Sequence, residues 1–119
     1  MIRSYQGPER RTNKRVRMNC TVIYRINQPP DARFSLEGKD MYAQMVDISQ
    51  NGMAMVTDLD IPTSTVVSIR FTLLKVNEEL VKFSGPMEIT GEVRSNVSVE
   101  QKQHRLGIYF KKMRKVPVY

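Results

Sequence analysis

Arg10-Arg11-Thr12-Asn13-Lys14-Arg15 gathers three guanidiniums and one ammonium in a stretch that leads straight into an alternating apolar segment. A guanidinium holds phosphate through two parallel hydrogen bonds and can lie on the face of a base, whereas the lysine ammonium acts as a point charge. Arg11 and Arg15 therefore suit a nucleotide, and Arg10 adds a third group of the same kind. Taken alone, the spacing reads as a solvated basic tail. The second stretch is Asp47-Ile48-Ser49-Gln50-Asn51-Gly52, at the junction of two short strand-like runs. Asp47 and Ser49 are two apart, so extended backbone puts a carboxylate acceptor and a hydroxyl on one face, able to read the polar edge of a base. Gly52 follows Asn51 in a pair that supplies the positive φ of a tight turn. These are turn-forming residues in any context, so this stretch alone reads as an ordinary hairpin.

Other reactive side chains are few. The single histidine, His104, falls in an alternating strand-like segment, where a structural role is expected. The single cysteine, Cys20, lies in another and reads as a small buried hydrophobe in a reducing compartment. Neither a nucleophile–base pair, nor a glycine-rich phosphate loop with its lysine, nor a Cys/His cluster can be assembled from the spacing. No catalysis, no metal and no resident cofactor are expected.

The elements that must position the two stretches are strands. Val16, Met18, Cys20, Val22, Tyr24 and Ile26 alternate with mostly polar residues, the period-two pattern of a half-buried strand. Asn27-Gln28-Pro29-Pro30-Asp31 breaks it and opens a loop to about Gly38. Residues 41–48 and 53–57 read as two strands joined by Ser49-Gln50-Asn51-Gly52. Thr65 to Lys75 is β-branched and apolar, and Asn77-Glu78-Glu79 separates it from a run starting at Leu80 and Val81, which predicts another hairpin. Gly85-Pro86 interrupts or bulges that strand before Met87, Ile89 and Val93 resume the alternation. His104, Leu106, Ile108 and Phe110 form the last set. With no amphipathic helix, some six strands predict an all-β fold, a small six-stranded antiparallel β-barrel with its many methionines as core filler.

At 119 residues there is room for one core. The expected organisation is a flexible basic ligand-binding segment over 1–15, a barrel over 16–112 and a basic tail over 113–119. The net charge of +7 divides into +5 over residues 1–17, −4 over 18–100 and +6 over 101–119, so an anionic partner suits the two ends. No apolar run approaches the roughly 20 residues of a membrane-spanning helix, and the start lacks a secretory segment, which predicts a cytoplasmic protein with no membrane insertion.

RxxxR ahead of the first strand and DxSxxG one hairpin later together resemble the paired signature of PilZ domains. Gly91-Glu92-Val93-Arg94 and Arg105-Leu106-Gly107-Ile108-Tyr109-Phe110 resemble the late strands of that bacterial family, including its closing Gly-x-x-Phe pattern. The resemblance implies a six-stranded barrel that binds cyclic di-GMP, with Arg11 and Arg15 at phosphates and guanine faces, Asp47 and Ser49 at a guanine edge, and Gly52 shaping the turn. Arg10, directly before the motif, resembles the arrangement suited to an intercalated ligand dimer, whose crowded phosphates need extra cationic groups. Ligand capture would order the basic segment and signal to a downstream protein that the sequence does not identify. One departure is the C-terminus: many members continue into a helix, and here Pro117 interrupts a short basic end. A basic barrel could instead bind single-stranded nucleic acid, but Trp is absent and the aromatics are scattered, so nucleic acid is not the expected partner. A ligand-free adaptor would be expected to lack the two motifs, and both are intact.

Overall fold

A computed structural model describes residues 14–28, 39–73 and 78–116. Six strands, β1 (Val16–Gln28), β2 (Met41–Ile48), β3 (Gly52–Thr57), β4 (Val66–Thr72), β5 (Pro86–Val99) and β6 (Gln103–Lys115), close a barrel in the order β1-β2-β3-β6-β5-β4. Every neighbouring pair is antiparallel. The expected barrel is present, and closure leaves its strands few unpaired edges.

The alternation of β1 is the physical cause of its position. Val22, Tyr24 and Ile26 are buried while Thr21, Arg25 and Asn27 face out, and Val16, Met18 and Cys20 pack more loosely against the same core. Cys20 is half-buried rather than buried, and desolvation raises its thiol pKa. Four methionines, Met45, Met53, Met55 and Met87, fill the interior as expected. Each such side chain contributes on the order of 1.5–3 kcal/mol by leaving water. The Tyr24 hydroxyl, carried into the core by its strand, is 2.7 Å from Thr57 Oγ1, so its burial leaves no polar orphan.

Two expectations need correction. The run at Leu80 and Val81 is not a strand: Glu78–Phe83 forms a short 3₁₀ helix. Leu80 and Phe83 are buried while Val81 and Lys82 face solvent, a spacing of three that matches the 3₁₀ period. Phe83 meets Phe110 edge-on at 5.9 Å. Gly85, at φ 78°, turns the chain, and Pro86 opens β5 instead of interrupting a strand already under way. The second correction concerns the end of the barrel. Met113, Arg114 and Lys115, expected in the tail, continue β6 and pair with Ile89, Glu88 and Met87. The Lys115 ammonium also donates to the Ser84 carbonyl at 2.9 Å. The expected loop from Pro29 to Gly38 lies outside the described residues.

Candidate functional site

The start of β1 pairs with the end of β2, Val16 opposite Ile48 and Arg17 opposite Asp47, and this register carries Arg15 to Asp47 and the turn beyond it. One extra residue of β1 between Arg17 and Cys20, and one of β2 between Met45 and Asp47, shift the registers there. Such bulges twist a strand and re-aim its side chains. Asp47 is only 8% exposed. Its Oδ1 accepts from Arg15 Nη1 at 2.5 Å and its Oδ2 from Arg105 Nη2 at 2.9 Å, so two charge-assisted bonds offset the cost of burying the carboxylate. Both guanidinium side chains stay about half exposed, leaving donors for an incoming anion.

The β2–β3 turn is held from within and from the side. Ser49 is buried, and both its amide and its hydroxyl donate to the Gly52 carbonyl, at 2.8 and 3.2 Å. The Phe110 amide on β6 donates to the Asn51 carbonyl at 2.8 Å. Gly52 does not serve the turn through positive φ, as its pairing with Asn51 suggested. Among the described residues that conformation falls to Gly85, Ser64, Gln101 and Lys102. Gly52 is needed for close approach, since a Cβ there would sit 2.5 Å from the Ile108 carbonyl oxygen.

Arg15, Ser49 and Gly52 then line a surface cleft of about 300 Å³ with Asn51, Arg94, Ser95, Gly107, Ile108 and Tyr109. Of the six residues expected at the site, these three come together there. Asp47 is not among the lining residues; it grips Arg15, which is. Arg10 and Arg11 lie outside the described residues. The sequence reading missed Arg105 as the second partner of Asp47. Its signal was the alternation with buried Leu106, which turns Arg105 outward on the strand beside β3.

It also missed the far wall. An extra residue in β5 between Val93 and Ser95 takes Arg94 out of the ladder. Its guanidinium carbon stands 4.5 Å from the ring centroid of Tyr109. Glu92 braces it, with Oε2 at 3.3 Å from Arg94 Nε and Oε1 at 3.0 Å from Lys111 Nζ. The hydrogen bond from Lys111, followed by the nearby charges of Lys111 and Arg94, holds the Glu92 carboxyl below its ordinary range. The cleft thus holds Arg15, beside β2, and Arg94, on β5, with Gly52 of β3 and Gly107 of β6 on the strands between them, an arrangement able to receive a flat anionic ligand. Among the described residues, no group of His, Cys, Asp and Glu could hold a metal ion, and no helix is long and apolar enough to cross a membrane.

The sequence matches the model of the PilZ domain over residues 9–117, nearly the whole chain. No curated protein matches it.

Proposed function

The chain belongs to the PilZ domain family, whose members generally bind cyclic di-GMP, and from that premise we propose that it is a cytoplasmic bacterial receptor for this dinucleotide that acts by binding alone. The observation that carries the reading is Arg15: the second arginine of RxxxR is clamped by Asp47 of DxSxxG at the edge of a cleft shared with Ser49 and Gly52. A clamped guanidinium has already lost much of its rotamer freedom, so less is lost when it takes a phosphate or a guanine face. Arg11 supplies the second grip. Asp47 keeps its hold on Arg15 and meets a guanine edge with the lone pairs that Arg15 and Arg105 leave to it, while Ser49 retains acceptor capacity beside it. Arg10 compensates the phosphate charge of a second, intercalated ligand molecule. Binding orders the basic segment that leads into Arg15 and so changes the surface presented to a downstream protein.

Displacement of labelled cyclic di-GMP tests the ligand class. Unlabelled cyclic di-GMP should displace it, while cyclic di-AMP and single-stranded DNA at the same concentration should not. Equal displacement by all three would reduce the site to a basic patch.

A further inference from the structure

Arg94 is placed unlike a surface arginine with a single ionic partner. The bulge takes it out of the β5–β6 ladder, Tyr109 backs it at 4.5 Å, and Glu92 steadies its Nε at 3.3 Å while itself held by Lys111 at 3.0 Å. Arg94 and Tyr109 both line the cleft to which Arg15 belongs. Both also remain substantially open to solvent, at 55% for the Arg94 side chain and 44% for Tyr109. A guanidinium backed by an aromatic ring and braced by a carboxylate presents a pre-set planar cation, a surface on which a second planar ring can stack. Ser95, the residue after Arg94, packs directly on Gly107, where a Cβ would sit 2.4 Å from Ser95 Oγ.

We infer that Arg94, seated on Tyr109, is a purine-stacking platform across the cleft from Arg15, so that the site grips a bis-purine ligand through guanidiniums on two walls. This rests on the cyclic di-GMP reading and assigns a further residue to the same site. The essential property is the plane of Arg94, because Arg15 and Arg105 already supply positive charge nearby. A lysine at position 94 keeps the charge and loses the plane.

The test is the affinity for cyclic di-GMP of the parent, Arg94→Lys and Arg94→Ala, each with its barrel fold verified by circular dichroism. Arg94→Lys and Arg94→Ala should both weaken binding about 30-fold, the size of a desolvated cation–π contact. Parent-like binding by Arg94→Lys, with loss confined to Arg94→Ala, would reduce the residue to a point charge and overturn the platform. Parent-like binding by both Arg94 variants would remove the residue from the site and leave the receptor reading standing. Failure of the parent itself to bind would overturn the receptor reading, and the platform with it.

Discussion

The hairpin-like pair β1–β2 carries an arginine–aspartate contact at each end, and the two differ in what surrounds them. At one end Arg25 meets Asp40 in the open, with both side chains nearly half exposed. At the other, Arg15 meets an Asp47 side chain only 11% exposed that also accepts from Arg105 of β6. The residue types are the same. The first is a surface ion pair, screened by water and salt and worth little to the fold. The second is a buried carboxylate tying three strands' worth of chain to one point, and only there does the pair border a cleft that also contains the β2–β3 turn. Neighbouring strands and burial, rather than the pairing itself, distinguish a site from a decoration.

The largest expected difference between the two ends is in ligand binding. Arg15→Ala should weaken cyclic di-GMP binding about 10- to 100-fold, the range for losing a hydrogen bond to a charged group. Arg25→Ala should leave it unchanged. Equal losses in filter binding would erase the distinction and point to general electrostatic attraction. Next in size is the turn. Gly52→Ala drives a methyl into the Ile108 carbonyl and should lower stability by about 1–3 kcal/mol in urea unfolding, the usual range for overpacking. An unchanged midpoint would mean that β3 and β6 separate easily and that the turn is not fixed against β6.

Asp47→Ala should follow, costing about 1–3 kcal/mol because two guanidiniums lose a shared acceptor, with the lower half of that range favoured by their exposure. Asp40→Ala should be neutral in the same urea titration. A matching loss at both positions would show that burial does not separate the two ends. The smallest effect is a pH dependence at the open end. The hydrogen bond from Arg25, with that residue's charge, holds the Asp40 carboxyl below its ordinary range. A depressed carboxylate contributes stability above its unfolded pKa, and the contribution is lost as pH falls through the lower folded value. Any difference between parent and Asp40→Asn should therefore be fully present above the ordinary aspartate pKa of about 4, fade as pH falls below it through the lower folded value, and vanish in strong acid or high salt. A difference that grew on acidification would reverse the assigned direction.

The strands of this comparison were legible because periodicity is local. Alternating residues from Val16 to Ile26 and from Met41 to Ile48 define β1 and β2, and the pairing of RxxxR with DxSxxG anticipated that Arg15 and Asp47 belong to one site. Residues added by closure were harder to read. Arg94 and Arg105 lie far along the chain and reach the site only through the β3–β6 and β5–β6 registers, and the bulge that redirects Arg94 has no signature in Glu92-Val93-Arg94-Ser95. Leu80-Val81 misled for a related reason: two apolar residues in a row fit a strand until burial three apart shows the 3₁₀ turn. Gly52 was singled out correctly as a turn residue but for the wrong cause, since the Ile108 backbone that excludes a side chain belongs to a strand 56 positions later.

Isothermal titration of the parent with cyclic di-GMP tests the central claim most directly, with Arg10→Ala and Arg15→Ala run beside it. The receptor reading predicts saturable binding with a Kd of about 1 μM or tighter, equivalent to some 8 kcal/mol, and about two ligands per chain. Arg10→Ala should take up about one ligand, and Arg15→Ala should bind far more weakly while keeping the parent's circular dichroism spectrum. A parent that took up only one ligand at saturation would remove the intercalated dimer. A folded parent giving no binding at ligand concentrations of about 100 μM would contradict the receptor function itself.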